Sequence, residues 1–137
     1  MTILVTGSAG FIGAATVQKL LARGDQVVGI DNHNNYYDPF LKESRLEIFK
    51  NNPNYIHLRD DITNKASIEK IFQDYKPKRV IHLAAQAGVR DSLEFPLKYI
   101  DSNLAGFINI LEASVSLKIE HLVYASSSSV YGKNAKL

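Results

Sequence analysis

Apolar runs and helical stripes alternate along this chain. Thr2 to Thr6 (TILVT) is apolar on both parities, the pattern of a strand buried on both faces. Phe11 to Arg23 reads as a helix with Phe11, Ile12, Ala15, Leu20 and Leu21 apolar, and Gly24 stands where a helix-ending glycine is expected. Gln26 to Ile30 (QVVGI) is a second buried strand. The polar, Asn-rich stretch from Asp31 to Asn54 holds a short helix over Leu41 to Phe49, and Tyr55 to Leu58 (YIHL) is a third strand. Thr63 or Asn64 caps a helix that runs to about Tyr75, with Pro77 beyond its end. Arg79 to Ala85 (RVIHLAA) is a fourth strand. Pro96 then opens a long helix from Leu97 to Leu117, whose stripe is Ile100, Leu104, Phe107, Ile108, Leu111 and Val115. His121 to Ser126 (HLVYAS) is the fifth strand, and residues 133–137 read as a loop that leads elsewhere.

Strands that alternate with helical connections predict an α/β fold with a parallel sheet, wound right-handed and covered on both faces. No internal repeat, linker or domain boundary interrupts the 137 residues, the length of one domain. The apolar content of 45% suits a soluble globular protein. A formal charge of +2, with the basic residues scattered, gives no footprint for nucleic acid or a membrane surface. There is no cysteine, which excludes disulfides, thiolate metal sites and a thiol nucleophile. The N-terminus lacks the basic start of a secretory signal, and no apolar run reaches the roughly 18 residues of a membrane span. The expected compartment is the cytoplasm, and no metal site is expected.

Candidate chemistry begins at TGSAGFIG, between the first strand and the first helix. Gly7, Gly10 and Gly13 leave room for a pyrophosphate against backbone N–H groups, and the helix N-terminus behind them favours an anion. A glycine pattern alone is also compatible with a plain tight turn. Asp31 adds context: it ends the second strand, eighteen residues past Gly13, near the spacing of a ribose-binding acid. A carboxylate there accepts from ribose hydroxyls and repels the 2′-phosphate of NADP. The glycine loop itself carries no Arg or Lys to receive that phosphate, so the expected cofactor is NAD. The alternative for Asp31 is a solvated loop acid.

LVTGSAGFIG resembles the opening of the extended short-chain dehydrogenases/reductases, the NAD-dependent epimerase/dehydratase family. DDI (60–62), HLAAQAGVR (82–90), DSNLAG (101–106) and SSSSVYG (126–132) follow in that family's order, so the resemblance covers the whole chain. Within the family, GIDNHNNYYD, LAAQAGVR and YASSSSVYG are closest to the UDP-glucuronate 4-epimerases. The resemblance implies a Rossmann-type doubly wound sheet of about five strands, incomplete at its C-terminal end. It implies that Phe11 and Ile12 back the pyrophosphate loop, and that Asp31, Asn32, His33, Asn35 and Tyr36 surround the adenosine ribose. Asp61 and Ile62 would bracket the adenine, and Leu83, Ala84, Ala85 and Gln86 would line the cofactor. Asn103 resembles a family asparagine beneath the active-site loop; a helix-surface polar group is the other reading.

The four serines leave the fifth strand at its carboxyl end. In the family, the hydroxyl five residues before the glycine of VYG is catalytic, which falls on Ser127, with Ser128 beside the substrate. Dehydratase-like members carry Asp and Glu after that hydroxyl; here Ser128 and Ser129 stand there, which favours epimerisation through transient oxidation at C4 of a UDP-sugar. Arg90, placed in the loop after the fourth strand, is a candidate for the carboxylate of glucuronate; a solvated arginine is the other reading, and Asp91 beside it is a competing partner. No tyrosine has a lysine four residues on; Tyr131 and Lys136 are one residue out of register. The Tyr-x-x-x-Lys helix and the sugar-nucleotide region are therefore expected beyond residue 137, as is a homodimer when complete. This stretch alone is expected to bind NAD at best weakly and not to turn over, and the Leu97–Leu117 helix is expected to leave apolar surface bare. The alternatives are a UDP-glucose or UDP-N-acetylglucosamine 4-epimerase, or a non-catalytic dinucleotide-binding module.

Overall fold

Both parities of strand β1 (Thr2–Thr6) are buried, but they feed different cores. Ile3 and Val5 join Val27 of β2 (Gln26–Asp31) and pack with Val17, Leu20 and Leu21 of helix α1 (Phe11–Ala22) and Leu46 of α2 (Pro39–Glu47). Leu4 joins Val28, Ile30 and Val80 of β4 (Arg79–His82) on the opposite face. That face packs with Ile68, Ile71 and Phe72 of α3 (Lys65–Tyr75) and Ile110 and Ala113 of α6 (Phe107–Ser116). A strand sandwiched between two helical layers has no solvent face, so its sequence runs apolar without alternation. The computed structural model, which describes residues 1–133, completes the sheet with β3 (Tyr55–Arg59) and β5 (His121–Tyr124). All four pairings are parallel and the order is β3-β2-β1-β4-β5. This is the doubly wound sheet that the alternation predicts.

Several boundaries differ from expectation, each for a local reason. The fourth strand stops at His82 rather than Ala85. The backbone N–H groups of Leu83 and Ala84 both donate to Thr6 Oγ1, at 3.1 Å each, which bends the chain over the end of β1. With both lone pairs of that hydroxyl used, its proton goes to His82 Nδ1, 2.7 Å away. The fifth strand stops at Tyr124, not Ser126. Helix α2 begins at Pro39, two residues early, because the Asp38 carboxylate accepts from Phe40 N–H at 2.9 Å. Asn64 rather than Thr63 caps α3: its Oδ1 accepts from Ser67 N–H, while the Thr63 hydroxyl donates to Asp61.

The expected single helix over Leu97–Leu117 is three joined pieces. They are α5 (Pro96–Ile100), a wide π-helical turn (Asp101–Gly106) and α6. A short helix, α4 (Val89–Glu94), precedes them where a loop is expected, and Arg90 lies in it. Leu97, Ile100, Leu104, Ile108 and Val115 are exposed, as are Val123 and Tyr124 of the edge strand β5, so these helices and that edge present bare apolar surface. The loop expected over residues 133–137 falls almost entirely outside the described residues, as does Lys136. Among the described residues no helix is long and apolar enough to cross a membrane.

Candidate functional site

The carboxyl ends of β1, β2 and β4 open into a cavity of about 320 Å³. Its floor is the turn after β1. Gly7 holds φ +68°, a conformation open to glycine, and a Cβ on it would stand 2.9 Å from the Ala84 backbone nitrogen. Gly10 is the N-cap of α1 and offers no side-chain cap. The N–H groups of Phe11, Ile12 and Gly13 therefore open the helix without an intrahelical acceptor, and all three residues line the cavity. A bare first turn of this kind is a ready anion site.

Asp31 supplies a buried acid to the cavity and is 5% exposed. Its Oδ2 accepts from Ala9 N–H at 3.1 Å, which ties the glycine loop to β2. Its Oδ1 accepts from His33 N–H at 2.9 Å and from Lys42 Nζ at 2.7 Å. Lys42 reaches in from α2, is itself buried, and lines the same cavity. Oδ1 is saturated, so Oδ2 keeps the one free lone pair available to a ligand hydroxyl.

Of the residues expected to hold a dinucleotide, the structure brings Gly7, Gly10, Phe11, Ile12, Gly13, Asp31, Asn32, Tyr36, Ile62, Leu83, Ala84, Ala85 and Gln86 around one cavity. Four others, His33, Asn35, Asp61 and Asn103, stand outside its lining. His33 turns its buried ring away, with Nε2 2.9 Å from His57 Nε2 and Nδ1 2.9 Å from Glu43 Oε1, off the line of a hydrogen bond. Asn35 is exposed. Asp61 is consumed by Asn32 Nδ2 and by the Thr63 N–H and hydroxyl. Burial acts to raise the Asp61 carboxyl, but these hydrogen bonds outweigh it and hold the group below its ordinary value. Asp60 lines the cavity in its place.

Asn103, the fourth, grips the chain that lines the cavity. Its Oδ1 accepts from Gln86 N–H at 2.8 Å and its Nδ2 donates to the Gln86 carbonyl at 2.9 Å. It does so from the π-helical turn, and such turns recur at functional sites. Asn103→Ala strands a backbone N–H and carbonyl of the buried Gln86. It is expected to cost about 1–2 kcal/mol and to speed amide exchange at Gln86, read by urea unfolding and hydrogen exchange.

Ala125 lines the cavity, two residues before Ser127. Ser127 and Ser128 are exposed. The Ser127 hydroxyl oxygen accepts from Ser129 N–H at 3.2 Å and caps a short 3₁₀ turn, Ser128–Tyr131. Arg90 is exposed on α4 rather than in a loop, and among the described residues it forms no ion pair. Asp91 does not compete for it: its carboxylate accepts from the Tyr99 hydroxyl at 2.9 Å. The sequence reading missed Ile30, Tyr37, Lys42, Asp60, Ser102 and Ala125 of the lining. Lys42 had a signal, since it sits one turn before the buried Leu46, on the inward stripe of α2.

The family described as GDP-mannose 4,6 dehydratase matches residues 4–137. UDP-glucuronate 4-epimerase 4 of Arabidopsis thaliana is 46% identical over 138 aligned positions, covering 100% of this chain and 31% of that protein. The UDP-glucuronic acid 4-epimerase of Bacillus cereus, solved with UDP-glucuronic acid and NAD, superposes with a TM-score of 0.89 at 36% identity. That match covers 99% of this chain and 43% of the other. The UDP-glucose 4-epimerase of Thermotoga maritima, solved with UDP-glucose, gives 0.85 at 33% identity, over 100% and 41% of the two chains. The chain thus spans less than half the length of the relatives it matches.

Proposed function

The chain belongs to the GDP-mannose 4,6 dehydratase family of extended short-chain dehydrogenases/reductases, and from that premise we propose that it is the NAD-binding, N-terminal part of a sugar-nucleotide 4-epimerase acting on UDP-glucuronate. The observation that carries this reading is the bare first turn of α1 facing one cavity with a buried acid. The fit to a dinucleotide is chemical: free N–H donors for a diphosphate, a carboxylate lone pair for a ribose hydroxyl, and apolar Ile62 and Leu83 along the walls. Bound NAD would supply the hydride acceptor, and then the donor, at C4 of the sugar. Phe11, Ile12 and Gly13 hold the diphosphate through their backbone. Asp31 holds the adenosine ribose. Asp60 and Ile62, both in the lining, would flank the adenine, and Asn103 fixes the Leu83–Gln86 wall.

Ser127 donates a hydrogen bond to the sugar C4 oxygen, and the general base comes from outside this stretch. Ser128 and Ser129 supply no acid–base pair for an elimination, which sets the reading apart from the dehydration in the family's description. Support for glucuronate comes from the Arabidopsis and Bacillus relatives and from Arg90, which is exposed and not engaged by Asp91. The Thermotoga likeness favours UDP-glucose as the second reading.

Calorimetric titration of this chain with NAD tests the binding half; no binding at millimolar NAD rejects it. On the whole protein, Arg90→Leu is expected to lower kcat/KM for UDP-glucuronate by about tenfold, the worth of one charge-assisted contact, and to leave UDP-glucose nearly unchanged. An equal loss on both sugars removes Arg90 from substrate recognition. A frame that ends at residue 137 without a Tyr-x-x-x-Lys helix favours the non-catalytic module.

A further inference from the structure

Asp31 does not face the cavity as a lone anion. Lys42 Nζ lies 2.7 Å from its Oδ1, and the two side chains are 8% and 4% exposed. Such a pair is close to neutral as seen from the cavity. Helix α2 brings a second cation to the same corner: Arg45 donates to the Ala9 carbonyl at 3.3 Å and to the Tyr37 hydroxyl at 3.0 Å, and its guanidinium lies 5.9 Å from the Phe11 ring centre. The glycine loop carries no basic residue, but the neighbouring helix delivers two. Among the described residues that line the cavity, Lys42 is the cation and Asp31 and Asp60 are the acids.

We propose that Lys42 is a specificity-determining residue at the adenosine end of this cavity, and that its pairing with Asp31 masks a latent site for a 2′-phosphate. The inference rests on the NAD-binding reading of the same cavity. With Asp31 ionised, the carboxylate takes a ribose hydroxyl and occupies the ammonium that would otherwise meet a phosphate. An ammonium is a compact point charge with three donors, a good phosphate partner once released. The same pairing fixes the carboxylate: Lys42 and His33 N–H saturate Oδ1, so Oδ2 alone is presented to the ligand. Lys42 thus positions the acid that selects the hydroxyl and restrains the charge that would select the phosphate.

The test is the ratio of NAD to NADP affinity, by calorimetry, in four proteins: the unaltered chain, Asp31→Asn, Lys42→Met and the double variant. Asp31→Asn is expected to shift the ratio toward NADP by about tenfold or more, and Lys42→Met to shift it toward NAD by about threefold to tenfold, the range of one charge-assisted contact. The double variant should lose the gain of Asp31→Asn. Because Asp31→Asn leaves a buried ammonium unpaired and lowers stability, thermal unfolding gives a second readout. Adenosine 2′,5′-bisphosphate should raise its melting temperature more than adenosine 5′-phosphate does, and this preference should vanish in the double variant. An unchanged ratio in both single variants, with NAD still bound, overturns this inference alone. Absence of NAD binding by the unaltered chain overturns the functional reading and this inference with it.

Discussion

Gly13→Ala is expected to destabilise the chain by about 3 kcal/mol, whereas Gly10→Leu, three residues earlier, should leave the fold intact and remove dinucleotide binding. The contrast follows from what each new side chain meets. A Cβ on Gly13 would stand 1.9 Å from the Gly7 carbonyl oxygen and 2.8 Å from its carbon. Both are backbone atoms of the turn that joins β1 to α1, and the turn cannot yield without moving the helix off the strand. Relief would also pull on Ser8, which is fully buried, and on the Ala9 N–H that anchors to Asp31. At Gly10 a Cβ meets the Gly7 carbonyl oxygen at 3.1 Å, a tight contact relieved by a shift of a few tenths of an ångström rather than the more than one ångström that Gly13 demands, and φ is −70°, which any residue adopts. A leucine there grows into the cavity that Gly10 lines, across the N–H groups of Phe11 to Gly13. Urea unfolding should separate the two variants by more than a molar in midpoint for a small domain, and NAD titration should order them the other way. If Gly13→Ala unfolds at the midpoint of the unaltered chain, the close packing of helix on loop is wrong. If Gly10→Leu binds NAD normally, the diphosphate lies elsewhere.

What could be read in advance, and what could not, divides along a physical line. The strand sequences declared themselves because Leu4, Val5, Val27 and Val28 sit between two helical layers and have no polar alternation to blur them. The glycine loop was legible because its constraint is local: the turn needs missing side chains within seven residues of sequence. The details that escaped notice are non-local. His82 ends its strand because of Thr6, seventy-six residues earlier. The break in the expected long helix coincides with Asn103 gripping Gln86 across seventeen residues. Asp60 and Asp61 are adjacent and chemically identical, and their orientations are set by different donors: Asn32 and Thr63 hold Asp61, while the Ser67 hydroxyl and the Asp61 N–H hold Asp60. Lys42 lies on a helix whose stripe predicts burial, but a buried lysine announces a partner without naming it, and Asp31 is the partner only once α2 is folded back.

Acidification should remove stability between about pH 6.5 and pH 4, with His82 responsible for about one proton of the effect. His82 is buried beside β1, its ring stacked on Phe107 at 5.3 Å between centres. Its Nδ1 takes the Thr6 proton, so the folded protein requires the neutral ring. Burial pushes its pKa down from 6.5 to about 4. Above pH 6.5 the ring is neutral folded or unfolded and costs nothing. Between 6.5 and 4 the unfolded chain binds a proton that the folded chain refuses, so stability falls as pH falls. Below 4 both states are protonated and the loss reaches its limit of about 3 kcal/mol. His57 adds to the same trend: burial first, then the neighbouring His33, lower its pKa as well. The measurement is the urea midpoint from pH 7.5 to 4.5 for the unaltered chain and for His82→Gln, whose side-chain carbonyl can still accept from Thr6. The variant should show a slope shallower by about 1.4 kcal/mol per pH unit through the middle of the window. A variant that tracks the unaltered chain at every pH would mean that the folded state accepts the His82 proton, and that Thr6 is not donating to it.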